Sequence, residues 1–210
     1  MTISAIMPAY NEAQRIGKVI KSITPYANEI LVIDDGSKDN TSKAAREAGA
    51  SVIRQEHSGY NAALKRGFLE SKHDIIVTID ADGEHCASDI PRLASPVASG
   101  DADVVLGTRQ KPPRQSESII NWMTNLKVTT SDACTGFRAI RKDLAVKLKL
   151  KGSCTCGTLV LEANYLGARI VDIPITIIEI NRTRPIAWYH MKQIACVICW
   201  LLRWKSKRRL

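Results

Sequence analysis

The sequence predicts an α/β protein with a mostly parallel central sheet flanked by helices. Through the first half of the 210 residues, short runs rich in Ile and Val alternate with segments whose apolar residues recur at helical spacing. Such an alternation implies parallel strands joined by right-handed helical crossovers. With 45% hydrophobic residues, the chain is long and apolar enough to bury one large core.

The elements of the first half follow from these two periodicities. We predict Asn11 as the N-cap of the first helix and Gly49 as the residue that ends the second. The predicted strands are residues 3–7, 29–33, 51–54, 74–80 and 103–106, and the predicted helices are 13–23, 41–48, 61–71 and 88–99.

Beyond residue 110 the pattern is less regular. Residues 111–118 are polar and contain two prolines, which predicts a loop. Helices are predicted over 121–127, 142–150 and 158–166, and strands over 169–173 and 175–180. We place a domain boundary after residue 185, where the composition changes.

The C-terminal segment, residues 186–210, is predicted to be a helix of a different kind. Its uncharged stretch is about ten residues, whereas a bilayer-spanning helix needs about twenty. Trp188, Trp200 and Trp204, followed by a basic end, are typical of a helix that lies at a membrane interface. The alternative is a helix packed on the domain or on a second subunit.

The net charge of +9 favours an anionic partner. Only 5% of residues are aromatic, and no basic stripe is interleaved with them, so no nucleic-acid partner is predicted. The N-terminus has no signal-peptide pattern, which favours the cytoplasm and free thiols. Cys154-X-Cys156 and Cys196-X-X-Cys199 could be imagined as a zinc site, but Cys196 and Cys199 lie in an apolar helical stretch and small buried thiols are the favoured interpretation.

Two carboxylates, Asp80 and Asp82, follow the predicted strand 74–80. The end of a strand is where α/β sheets usually present chemistry. Carboxylates two residues apart on a turning chain can converge on Mg²⁺ or Mn²⁺, which prefer oxygen ligands. The alternative is a polar turn made by Gly83.

Four ordered motifs carry a family resemblance. Neither GxGxxG nor GxxxxGK[ST] occurs, so the sequence carries no motif typical of a dinucleotide-cofactor site or of a P-loop. The chain instead resembles family 2 glycosyltransferases, in the branch of dolichol-phosphate mannose synthases and polyprenyl-phosphate glycosyltransferases. The motifs are Pro8-Ala9-Tyr10-Asn11-Glu12, Asp34-Asp35-Gly36-Ser37, Asp80-Ala81-Asp82 and Thr135-Gly136-Phe137-Arg138-Ala139.

The resemblance implies a glycosyltransferase A-type catalytic domain over residues 1–185 and a metal-dependent, inverting transfer. The donor would be a nucleotide-diphosphate sugar of the GDP-mannose or UDP-glucose type. The acceptor would be a polyprenyl or dolichyl phosphate at the cytoplasmic face of the membrane, with the protein bound peripherally. The alternatives are a hydroxyl acceptor on a glycan or small molecule, with Asp132 as base, and a non-catalytic nucleotide-sugar-binding subunit.

The resemblance also implies roles for single residues. Asp80, Asp82 and Glu84 would ligate Mg²⁺ or Mn²⁺; relatives carry Gln in place of Glu84, which alternatively is an exposed turn residue. The donor site would include Pro8, Tyr10, Glu12, Asp34, Asp35 and Ala81.

Arginines would face the phosphates. Arg109 and Arg138, with Asp82, would be catalytic, although each arginine alternatively makes a structural ion pair. In relatives, a segment containing Ser-Lys closes over the diphosphate. That Ser-Lys pair is missing from the corresponding segment of this sequence. Arg182 or Arg184 would replace it. His57 and His85 are interpreted as structural.

Overall fold

The computed structural model of the chain describes residues 1–110, 114–152, 154–178 and 189–207. Seven strands form one sheet in the order β3-β2-β1-β4-β6-β5-β7. The strands are β1 Ile3–Ala9, β2 Glu29–Asp34, β3 Ser51–Arg54, β4 Ile75–Thr78, β5 Val104–Thr108, β6 Arg138–Arg141 and β7 Ile170–Pro174.

Helices cover both faces of this sheet. They are α1 Ile16–Ile23, α2 Thr41–Glu47, α3 Tyr60–Glu70, α4 Ile90–Ala98, α5 Gln115–Asn125, α6 Lys142–Ala145, α7 Thr158–Tyr165 and α8 Tyr189–Lys207. Strands β1 to β4 are mutually parallel, as are β5 and β7. The predicted α/β class with a mostly parallel sheet is confirmed.

Side chains of β1 show how the core divides. All seven residues of this central strand are buried. Met7 belongs to the cluster that packs against α1 and α4, whereas the adjacent Ile6 belongs to the cluster on the α3 side. Successive side chains of a strand point to opposite faces, so both faces of the sheet must be covered.

Strand β6 was not predicted. It is only four residues long, begins and ends with arginine, and runs antiparallel to both β4 and β5. Its sequence lacks the apolar run of a buried strand, yet Arg138 is 0% exposed. Because β6 is antiparallel, its beginning lies beside the carboxyl ends of its neighbours.

The start of the first helix was predicted wrongly. Asn11 has a φ of 56° and is not an N-cap, and α1 begins only at Ile16. The Asn11 side-chain oxygen accepts a hydrogen bond from the Lys38 N–H at 2.8 Å, and its own N–H donates to Ser37 Oγ at 2.9 Å. Asn11 therefore ties the β1–α1 loop to the β2–α2 loop.

Three further boundaries differ from prediction. Helix α5 begins at Gln115, within the predicted loop, and α6 ends at Ala145 rather than at residue 150. Of the predicted strand 175–180, Ile177 makes an isolated bridge to His85, and residues 179 and 180 lie outside the described part. That bridge places the segment after β7 over the strand end of β4.

Helix α8 packs on the domain through one face. The buried residues of this face recur at helical spacing; they are His190, Gln193, Val197 and Trp200. The helix packs against α5 and α7, which agrees with the alternative prediction. Among the described residues, no helix is both long and apolar enough to cross a bilayer. Trp188 and the Trp204 side chain lie outside the description.

Candidate active site

A cavity of about 330 Å³ opens where β4 ends and β6 begins. Its wall includes the three carboxylates of Asp80, Asp82 and Glu84. The turn between them uses Gly83, whose φ is 82°, a conformation that glycine adopts without strain. The Glu84 N–H donates to Asp82 Oδ1 at 3.1 Å. The segment is therefore a turn, and the turn brings its carboxylates to the cavity.

Asp80 is held by two neighbours. The Tyr60 hydroxyl donates to its Oδ1 at 3.2 Å, and His85 Nε2 lies 3.5 Å from its Oδ2. Burial acts to raise the pKa of Asp80, but the hydrogen bond and charge of His85, together with Arg138, lower it below its ordinary value. The carboxylate therefore remains charged at neutral pH, as a metal ligand requires.

Arg109 is engaged by two carboxylates. Its Nε donates to Asp132 Oδ2 at 2.6 Å, and its Nη2 donates to Asp132 Oδ1 at 3.0 Å and to Glu117 Oε2 at 2.9 Å. Burial disfavours the charged form of Arg109, but Asp132 outweighs it and the pKa is raised. These bonds match the structural ion pair that was the alternative prediction for Arg109. They also engage both carboxylate oxygens of Asp132. Arg109 nevertheless lines the cavity, and its contact with phosphate stays a prediction.

Arg138 has the opposite environment. Its side chain is fully buried, and none of its three guanidinium nitrogens has a hydrogen-bond partner among the described residues. A buried charge without a partner costs several kcal/mol of free energy, roughly. The guanidinium lies close enough to Asp80 to lower the pKa of that carboxyl. Arg138 is therefore a buried positive charge close to Asp80, and its guanidinium N–H groups are not used by the described residues.

Asp34 and Asp35 are occupied by their own loops. Asp34 accepts hydrogen bonds from the Ser37 N–H at 2.8 Å and from the Ser42 hydroxyl. Burial acts to raise the pKa of Asp34, but these hydrogen bonds lower it. Asp35 accepts three bonds of 2.7–2.9 Å, from the Gln55 side chain and from the N–H groups of residues 58 and 59.

Tyr10 is the exposed part of the first motif. Its ring packs against the ring of His57, with 4.5 Å between the ring centroids and an angle of 32° between the ring planes. His57 Nδ1 lies 2.9 Å from Asp35 Oδ2, which orients the imidazole. Pro8 is buried within β1, and Glu12 pairs with Arg15 at 3.3 Å. Ala81 is buried beside Asp80. Together, Tyr10 and His57 form an aromatic surface near the first strand ends.

Comparison with known proteins agrees with the motifs. The sequence matches glycosyl transferase family 2 over residues 4–149. An undecaprenyl-phosphate mannosyltransferase of Micrococcus luteus is 30% identical, aligned over 85% of this chain and 84% of that protein. A dolichyl-phosphate hexose transferase of Haloferax volcanii is 29% identical over 82% of this chain and 81% of its own length.

The chain belongs to glycosyl transferase family 2.

Solved structures support the fold. A glucosyl-3-phosphoglycerate synthase from Mycobacterium tuberculosis, in complex with Mn²⁺ and UDP-glucose, superposes with a TM-score of 0.81 at 23% identity, covering 95% of this chain and 78% of that one. The same enzyme with phosphoglyceric acid gives a TM-score of 0.81 at 24% identity, with coverages of 95% and 79%. The family, the A-type fold and the enzyme class that the motifs predicted are confirmed.

Sequence reasoning missed several residues of this glycosyltransferase. Tyr60 begins α3, and its contact with Asp80 could have been suspected only from the convergence of strand ends. His57 and His85 were interpreted as structural, and each indeed orients a carboxylate. No motif signalled His190, which also lines the cavity. Arg182 and Arg184 lie outside the described residues.

Proposed function

We propose that this glycosyltransferase moves a sugar, with inversion, from a nucleotide-diphosphate sugar to a polyprenyl or dolichyl phosphate. The observation that carries the proposal is a cavity lined by three carboxylates, one of which, Asp80, is close to the buried guanidinium of Arg138, whose nitrogens have no hydrogen-bond partner among the described residues. Such an arrangement suits a substrate that brings both phosphates and a divalent cation. The names of the Micrococcus and Haloferax relatives support the lipid phosphate acceptor.

The donor set fits Mg²⁺ or Mn²⁺. Asp80, Asp82 and Glu84 offer only hard oxygen ligands, and the turn at Gly83 leaves them on one wall of the cavity. We assign these three carboxylates to the cation. When bound, the cation would neutralise charge on the diphosphate of the donor.

The nucleotide would lie along the first strand ends. Tyr10 and His57 present an exposed aromatic surface on which a base can stack. Glu12 lies beside this surface and is assigned to the ribose. Asp34 and Asp35 would act by holding the two loops in shape, since their oxygens already accept bonds from those loops.

Arg138 and Arg109 have different roles in this scheme. Arg138 would stabilise negative charge that develops on the leaving diphosphate, because its guanidinium is already desolvated and oriented. Arg109 would position Asp132 and Glu117 in the opposite wall. A phosphate acceptor is already anionic, so the transfer needs no strong base. Asp132 is poorly placed as a base for a hydroxyl acceptor, because both of its oxygens already accept hydrogen bonds from Arg109.

An apolar surface favours peripheral membrane contact. Ile119, Trp122 and Leu126 are 50–66% exposed and lie on one side of α5. Helix α8, which packs against α5, exposes Met191, Ile198 and Leu202. We call these six side chains the apolar surface. It would place the cavity next to a lipid-borne phosphate, at the cytoplasmic face as the sequence predicts.

The decisive experiment supplies purified protein with Mn²⁺ or Mg²⁺ and a panel of GDP- and UDP-sugars. Each is tested with a polyprenyl phosphate, with a hydroxyl acceptor and with no acceptor. We expect a glycosyl-phospholipid product with at least one donor, and none with Asp82→Asn. Product only on the hydroxyl acceptor would refute the lipid acceptor, and donor binding without any product would indicate a non-catalytic subunit.

A further inference from the structure

Three distant segments bring sulfur and imidazole ligands together at the edge of the cavity. Cys154 and Cys156 lie in the turn before α7, and His190 lies in the first turn of α8. Their ligand atoms are all within 4.8 Å of one another. Cys134, just before β6, lines the same cavity, and its thiol lies 3.8 Å from the Glu117 carbonyl oxygen. The chain therefore assembles two thiols and one imidazole around one point, with a third thiol, that of Cys134, in the same cavity.

The imidazole is oriented toward the thiols. His190 is 1% exposed, and its Nδ1 lies 2.7 Å from the hydroxyl of Ser116. Its other nitrogen, Nε2, lies 3.9 Å from Cys156 Sγ. A hydrogen bond that fixes one ring nitrogen while the other faces the ligand position is the usual support of a metal-bound histidine.

The turn that carries the two cysteines is held by α8 as well. The Gln193 side-chain N–H groups donate to the Cys156 carbonyl at 2.8 Å and to Thr158 Oγ1 at 2.9 Å, and its oxygen accepts from the Cys154 N–H at 3.3 Å. Gln193 is 0% exposed. The backbone of the cysteine turn is thus fixed relative to His190.

The spacing agrees with a tetrahedral ion. Zinc binds sulfur at about 2.3 Å and nitrogen at about 2.1 Å, which separates the two ligand atoms by about 3.6 Å in a tetrahedron. The observed Cys156–His190 separation of 3.9 Å is close to that edge. Packing of small apolar thiols accounts for buried cysteines one at a time. It gives no reason for a buried, oriented imidazole among them.

We propose that Cys134, Cys154, Cys156 and His190 form a structural zinc site that fastens α8 to the wall of the active-site cavity. Four protein ligands, three of them thiolates, are typical of closed structural sites. The ligands also separate this site from the carboxylates of Asp80 and Asp82, because thiolates select zinc and carboxylates select Mg²⁺ or Mn²⁺. One cavity would then border two sites of different metal preference.

The test measures zinc in the full-length protein purified under reducing conditions with added zinc and then desalted. We expect about one zinc ion per chain. Replacement by Co²⁺ should give the thiolate charge-transfer band and the visible bands of tetrahedral cobalt. Cys156→Ser and His190→Gln should lose the bound metal and the cobalt bands, whereas Cys86→Ser and Cys199→Ser, which alter cysteines outside the cluster, should retain both.

A second measurement needs no variant and therefore does not depend on whether a variant folds. Zinc should protect Cys134, Cys154 and Cys156 of the wild-type chain from alkylation, read by mass spectrometry, while Cys199 reacts unchanged. Wild-type protein without bound zinc, or equal labelling with and without zinc, would overturn the site. So would a disulfide among the three cysteines in the reduced preparation. None of these outcomes bears on Mn²⁺-dependent donor binding, which is measured separately.

Discussion

Gly136 lies so close to Asp80 that a Cβ at residue 136 would be 2.3 Å from the Oδ2 atom of that carboxylate. The Thr78 hydroxyl, at the end of β4, donates to the Gly136 carbonyl at 2.6 Å and holds the two segments together. The conformation of Asp80 is therefore set by a neighbour whose side chain is a single hydrogen atom.

Gly136→Ala should displace the Asp80 carboxylate, because the new methyl group meets side-chain oxygen rather than open space. We expect at least a tenfold loss of Mn²⁺-dependent donor affinity, roughly 1.4 kcal/mol, with the fold retained. Titration calorimetry with and without Mn²⁺ measures this loss. Gly17→Ala is the control, since a Cβ there meets only ordinary contacts at 3.9 Å or more. Equal affinity in both variants would contradict the role of Asp80.

Arg138→Met should separate stability from catalysis. The substitution removes a desolvated guanidinium that makes no hydrogen bond among the described residues, so the melting temperature should stay equal or rise. Turnover should fall by about 10²–10³-fold, because the charge that stabilises the leaving diphosphate is lost. Thermal unfolding and steady-state kinetics on the same preparation test both. A lower melting temperature with normal turnover would make Arg138 a structural residue.

Tyr10→Ala should weaken donor binding through lost stacking. Base stacking on an aromatic ring contributes about 1–3 kcal/mol, so the KM for the nucleotide sugar should rise about tenfold while kcat changes little. Tyr10→Phe keeps the ring beside His57 and should behave like wild type. An unchanged KM in the alanine variant would show that the base does not stack on this surface.

Trp122→Ser should reduce association with vesicles. Trp122, at 66%, is the most exposed side chain of the apolar surface, and removing it should weaken partitioning to anionic vesicles about tenfold. Leu69→Ser provides the control, because Leu69 is 56% exposed on α3, a helix that contributes no residue to the apolar surface. If both variants sediment with vesicles to the same extent, the apolar surface contacts something other than lipid.

Asp103→Asn should destabilise the edge of the sheet. Asp103 is buried at the start of β5, accepts bonds from Arg169 at 2.8–3.2 Å, and pairs with Arg141 at 2.7 Å. Losing the charge should lower the free energy of unfolding by about 1–2 kcal/mol, since solvent screens the arginines. Asp143→Asn, an exposed carboxylate on the same Arg141, should cost less.

The effect of Asp103 depends on pH in a defined direction. The hydrogen bond from Arg169 is the main cause that lowers the pKa of Asp103 below its ordinary 3.8. A group with a depressed pKa stabilises the fold above its ordinary pKa, and this stabilisation is lost as the pH falls through the lower value. The wild type and Asp103→Asn should therefore differ at neutral pH and converge below pH 3.8 in urea unfolding.

The parallel part of the fold was predictable because its strands are buried on both faces and read as apolar runs. Residues Ile75–Thr78 are an example, with four buried residues in succession. Strand β6 was missed for the opposite reason. Its arginines are polar in sequence, and only the insertion between β4 and β5 makes Arg138 a buried residue. Burial that depends on tertiary pairing leaves no local periodicity.

The same distinction applies to the site. Asp80 and Asp82 could be found from sequence because the strand end and the two-residue spacing are local. For Arg109, sequence reasoning could offer a structural ion pair only as an alternative, because its partner Asp132 is distant in the chain. Cys154 and Cys156 could be noted from their spacing, but their proximity to His190 could not be predicted, because α8 returns to the cavity from the end of the chain.

The position of β6 also has a consequence during synthesis. Strands β1 to β4 leave the ribosome first and can pair with one another, but β4 then has an edge without a neighbour. That edge, Ile75–Thr78, is a short β-branched segment with free N–H and C=O groups, which favours pairing between nascent chains. The edge is covered only when Arg138–Arg141 has emerged. The segment that borders the cavity is thus also the one that covers the exposed edge of β4.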